Sequence, residues 1–145
     1  MALDPTIIAG IEHDLKRYKR WKARYKEIDD QLKDVSISTA NYNYGVGGGH
    51  KGKSDPVASQ VISRARLEQE KAWLKRRVER VENALAAMTE AQAELVRLRY
   101  FEDKPRKEVE AIMGIEKSTF YRLREQALQT YAEVAGLVAW ELSET

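Results

Sequence analysis

Two stretches of this chain carry residue types at spacings that could do chemistry. The first is Lys117, Ser118, Tyr121 and Arg122, within GIEKSTFYRLREQAL. At 3.6 residues per turn these four share one face of a helix, and together they offer cationic donors, a hydroxyl and an aromatic ring. Such a set suits base-pair edges in a DNA major groove. Lys117 and Arg122 can donate to guanine, Ser118 can bond a base or a phosphate, and Tyr121 can meet a thymine methyl or a phosphate oxygen. The second stretch matches the phosphate-loop pattern G-x-x-x-x-G-K-S/T through Gly47, Gly52, Lys53 and Ser54.

A working phosphate loop joins a buried strand to a helix, so that backbone amides converge on the phosphates. Here Thr39 to Tyr44 are polar and turn-prone, and no later apolar run ends in a magnesium-binding aspartate. The match reads as chance in a Gly-rich basic segment. His50, Lys51 and Lys53 keep the chemistry to touch a nucleic-acid backbone, but no catalysis and no cofactor are expected.

The elements around the first stretch are legible. Thr89 and Gln92 form a T-x-x-Q capping box that opens a helix, with Ala91, Leu95, Leu98 and Phe101 as its apolar row. Glu102 to Lys104 end it, and Pro105 opens a helix of about two turns, Arg106 to Met113, at a position where a missing amide is harmless. Gly114 supplies the positive backbone angle of a steep turn. Val109, Met113, Ile115, Phe120 and Leu123 fall where the inner faces of two crossing helices need them. The whole, Met88 to Leu128, reads as a helix-turn-helix with its recognition helix from Lys117 onward. Arg106, Lys107, Thr119 and Arg124 flank the base-reading set and are expected at phosphates.

Two long helices precede it. Asp4 and Pro5 begin the first, which is expected to run to about Val35 with a seam of Ile11, Tyr18, Tyr25 and Leu32 beside Trp21, Ile28 and Val35. Over Ile11 to Glu27 its other faces carry seven basic residues, Lys16, Arg17, Lys19, Arg20, Lys22, Arg24 and Lys26, against three acidic ones. That excess fits a solvated face covering the seam edge, or an auxiliary nucleic-acid contact. Residues 36–54 read as a flexible Gly-rich loop. Ser54 or Asp55 with Pro56 opens the second long helix, to about Ala87, with Leu74, Val78, Val81, Leu85 and Met88 at heptad spacing and Val57, Val61 and Leu67 extending the row. A second basic cluster, Lys71, Lys75, Arg76, Arg77 and Arg80, reads as ordinary helix surface paired with glutamates. The two helices form an antiparallel hairpin or a coiled coil shared between chains. The tail from Tyr131 to Leu142, with Val134, Leu137, Val138 and Trp140, either packs back on its domain or meets a partner.

The 145-residue chain has room for one domain, or a small domain with a helical appendage. The expected fold is all-α, with a hairpin over 1–87 and a DNA-binding domain over 88–145. The absence of cysteine and the separation of His13 from His50 argue against a structural metal cluster. With neither a signal-like N-terminus nor an apolar run of membrane-span length, a soluble cytoplasmic protein with no membrane contact is expected.

LVRLRYFED and KEVEAIMGIEKSTFYRLREQAL resemble the fourth, promoter-reading region of bacterial sigma factors. The arrangement of the whole chain resembles phage-encoded transcriptional regulators of the ArpU and RinA type. The resemblance implies an activator of phage late genes that binds double-stranded DNA near a promoter in the host bacterial cell and engages host RNA polymerase. It also implies base-reading roles for Lys117, Ser118, Tyr121 and Arg122. Glu110 stands where the family has a small residue, which would hinder the close approach of the two helices unless its stem packs flat. Glu116 stands where a Ser or Thr cap is usual. From Met88 to Ala132 eight basic and eight acidic residues cancel, so the module should bind weakly alone. A homo-oligomer, a dimer above all, would add affinity. The competing reading is a phage DNA-packaging adaptor similar to small terminase subunits, for which a closed ring is the expected assembly.

Overall fold

The computed structural model describes residues 3–45 and 56–138, and every described element is helical. In order these are α1 (Pro5–Gly45), α2 (Pro56–Ala87), α3 (Glu90–Val96), a π-helical turn (Arg97–Phe101), α4 (Arg106–Met113) and α5 (Lys117–Val134). The phosphate-loop match, the Ser54/Asp55 cap and Trp140 lie outside the described residues. Among the described residues no helix is long and apolar enough to cross a membrane.

Helix α1 starts as expected, with the Asp4 carboxylate accepting from the Thr6 amide at 2.7 Å. It then continues to Gly45 rather than ending near Val35, which corrects the first part of the expected loop. Ser, Thr and Asn each cost a helix only tenths of a kcal/mol, roughly, once it is nucleated. Between Ser36 and Tyr44 there is no glycine or proline to stop it.

The chain divides into two compact units: Trp21–Arg76, and the segments up to Arg20 and from Arg77 onward. In the first, α1 and α2 pair antiparallel within one chain. Trp21 meets Trp73 edge to face at 5.8 Å, and Arg24 forks onto Glu70 at 2.7 and 3.0 Å. Lys71 bonds Asp29 at 2.7 Å and lies over the Tyr25 ring at 5.5 Å. Ile28 and Leu74 are buried, whereas Val61, expected on the seam, is 62% exposed.

In the second unit the buried residues of α1 are Ile11, Leu15 and Tyr18, and those of α2 are Val78, Val81 and Ala84. Tyr18 donates to Glu82 at 2.7 Å, and burial together with that acceptor pushes its phenol up to about 12. Leu15 was not part of the expected seam, although its place four residues after Ile11 and three before Tyr18 puts it on the same stripe. Across α3 and the π-helical turn, Ala91 is exposed, and Ala93, Val96 and Tyr100 join Leu95 and Leu98 inside.

Candidate nucleic-acid interface

The capping box forms as its sequence predicts: the Gln92 amide donates to Thr89 Oγ1, and the Thr89 amide to Gln92 Oε1, each at 3.2 Å. Helix α3 does not run straight to its end. The Glu102 amide reaches back five residues to the Arg97 carbonyl at 2.9 Å, closing a π-helical turn. A wider turn changes the direction of the side chains that follow, and both of its aromatic residues meet α1. Tyr100 donates to Glu12 at 2.6 Å, and Phe101 stacks on Tyr18 with centroids 4.7 Å apart. Asp103 then takes a left-handed conformation (φ 53°), which a short polar side chain tolerates better than most.

Pro105 sits at the cap of α4 rather than inside its first turn. Gly114 closes α4 with φ 64° and ψ 40°, and the Ile115 amide donates to the Glu110 carbonyl at 3.0 Å. Helix α5 starts at Lys117 with Glu116 as its cap residue. The Glu116 side chain makes no capping bond, but its carbonyl accepts from the Phe120 amide at 2.9 Å. The register of the third helix therefore stands as the sequence predicts despite the missing Ser or Thr. Leu95, Leu98, Val109, Phe120 and Leu123 form one buried cluster, with Met113 and Ile115 against it. Glu110 does not keep the helices apart: Arg106, one turn earlier, takes its half-buried carboxylate.

With that apolar face turned inward, Lys117, Ser118, Tyr121, Arg122 and Glu125 are exposed along one side of α5. Tyr121 is 46% exposed, and its ring is held edge-on by Phe120 at 5.4 Å. The Arg106 guanidinium lies 5.7 Å from the same ring, which brings α4 and α5 together at this surface. Lys107 is exposed, whereas Arg106 and Thr119 are half-buried.

Arg124, expected at a phosphate, is turned to Glu12 at 2.9 Å, the carboxylate that Tyr100 also uses. Burial works to raise the Glu12 carboxyl, but the bonds from Tyr100 and Arg124 outweigh it and hold the group below the usual carboxylate range. Further along α5, Tyr131 is fully buried and its hydroxyl lies 3.1 Å from Asp14, a carboxylate 9% exposed. The helix-turn-helix is thus buttressed by the first turns of α1, through Glu12 and Asp14. Sequence reasoning missed both residues because their partners lie more than eighty positions away. The expected inward packing of the tail is seen at Tyr131 and Ala132, while Val134 and Leu137 stay partly exposed. Among the described residues no three His, Asp or Glu side chains gather as a metal ion would require.

Comparison with known protein families finds that residues 78–130 match the model for sigma-70, region 4. The match covers just over a third of the chain and takes in the end of α2, all of α3 and α4, and α5 through Thr130. No curated protein and no solved structure matches the chain. Residues 78–130 form a sigma-70 region 4-like helix-turn-helix, a DNA-binding type of domain.

Proposed function

We propose that the chain is a sequence-specific transcriptional regulator, an activator of phage late genes acting near a promoter. The observation that carries the reading is the exposed row Lys117, Ser118, Tyr121 and Arg122 at the start of a helix whose opposite face is locked in a core. A recognition helix needs that arrangement: rigid support behind, and donors and an apolar edge in front. In this reading the four residues read bases, Lys107 and Arg106 hold phosphates, and Thr119 supports the first turn against the backbone. The segment 88–145 acts as the DNA-binding domain and the hairpin of 1–87 as its support. Arg124 serves the scaffold through Glu12 rather than the DNA.

The module carries no net charge, so binding affinity comes from additional contacts: a second copy of the chain, host RNA polymerase at the promoter, or basic surface elsewhere. The protein works in the host cytoplasm without a cofactor and without catalysis. Selection of binding sites from a randomised duplex library tests the reading. A short enriched motif, contacted in the major groove, is expected. Recovery of duplexes with no common motif would reject sequence-specific recognition, and a closed ring of eight or more copies in light scattering would favour the packaging adaptor.

A further inference from the structure

Helix α1 carries a stripe of cations that the helix-turn-helix does not use. His13, Lys16, Arg17 and Arg20 recur at spacings of three and four and share one side of the helix, with Lys19 at its margin. They form one wall of an open cleft of about 550 Å³ whose other wall is the π-helical turn and the loop after it, including Phe101. Arg17 donates its Nε to His13 at 2.7 Å, which leaves its terminal nitrogens available to a ligand. Among the described residues Lys19 and Arg20 form no ion pair. Among the described residues Asp103 is the one acidic residue lining this cleft, against four Lys and Arg side chains.

The position of the cleft matters as much as its charge. Glu12, one turn before Lys16, is where α1 is fastened to α5 through Arg124, so the cations belong to the same compact unit as the recognition helix. From Lys16 to Arg20 the helix rises about 6 Å. A strand of B-DNA presents a phosphate about every 3.4 Å of its axis, so one turn of α1 matches about two phosphates. We infer that this cleft is a second phosphodiester-binding surface, gripping the backbone of the same duplex and supplying the attraction the neutral helix-turn-helix lacks. The inference rests on the DNA-binding reading above.

The test uses the full chain and two duplexes, the selected site within flanking DNA and a random sequence of equal length, with affinity measured across a salt series. Lys16→Ala, Lys19→Ala and Arg20→Ala together should weaken binding to both duplexes alike. The slope of log affinity against log salt should fall by about 2, or about 1 for each of the two phosphates this turn of α1 spans. The preference for the selected site should be unchanged. Lys26→Ala, Lys33→Ala and Arg66→Ala remove the same charge from the other unit and should change the slope little. All six side chains are exposed, so both variants should keep the wild-type circular dichroism and melting temperature. A cleft variant with the wild-type slope, or one matching the control variant, would overturn this inference and leave the recognition helix untouched. A wild-type chain that binds neither duplex would overturn both.

Discussion

Replacing Glu12 should loosen the helix-turn-helix from a distance. Its carboxylate accepts from Tyr100 at 2.6 Å and from Arg124 at 2.9 Å, and so ties α1 to the π-helical turn and to α5. The ion pair is only partly shielded, with 26% and 27% of the two side chains accessible, so solvent screening limits it to about 1 kcal/mol. Tyr100 is different, because the residue is 3% exposed and its hydroxyl would be left without an acceptor, at about 1–3 kcal/mol. Glu12→Ala should therefore cost about 2–3 kcal/mol and lower the melting temperature by roughly 5–10 °C at this chain length. Because the folded-state pKa of Glu12 lies below its ordinary value of 4.5, the contribution is fully present above that pH and is lost as pH falls through the lowered value. Thermal melts by circular dichroism at pH 7 and in acid would show a wide gap between wild type and variant that narrows in acid. Glu12→Gln, which keeps an acceptor without the charge, should fall between them. A loss under about 0.5 kcal/mol, the usual level for an inconsequential surface change, or a gap indifferent to acid, would refute the buttressing role.

Three further outcomes follow from local geometry. Gly114→Ala should destabilise by about 1–2 kcal/mol through the left-handed backbone alone, because an added Cβ meets nothing within 4 Å; Gly114→Asn should cost less, and urea unfolding of the two variants checks the order. Thr89→Ala removes the oxygen that accepts from the Gln92 amide and should cost about 1 kcal/mol in the same assay. Tyr131→Phe keeps the buried ring but loses the bond to Asp14, for a further loss of about 1 kcal/mol. Equal stability of Tyr131→Phe and wild type would show that ring packing alone holds the end of α5.

The carboxy-terminal elements were readable because each is dictated by neighbours in sequence. Thr89 and Gln92 cap one another, the bounds of α4 follow from Pro105 and Gly114, and the spacing of Val109, Phe120 and Leu123 sets the inward face. The end of α1 was misplaced because polar residues weaken a helix without stopping it, and Gly45 comes nine positions after the composition changes at Ser36. The π-helical turn leaves no mark in hydrophobic periodicity, since Leu95, Leu98 and Phe101 keep ordinary helical spacing across it. The roles of Glu12 and Asp14 are set by tertiary contacts, and in the sequence they look like two acidic residues in a basic helix. The bond from Arg124 to Glu12 went unforeseen for the same reason. Nothing in its neighbourhood announces that its partner lies on α1.

The central claim, that α5 reads DNA sequence through its exposed first turns, is tested most directly by competition binding with the Lys117→Ala, Arg122→Ala double variant. Affinity for the selected site should be measured against a random duplex at fixed salt. Each bidentate base contact is worth about 1–3 kcal/mol of discrimination. The ratio of specific to non-specific affinity should therefore fall by at least about tenfold, with folding unchanged because both side chains are exposed. An unaltered ratio in a properly folded variant would contradict the account and move sequence recognition, if the chain has it, away from this helix.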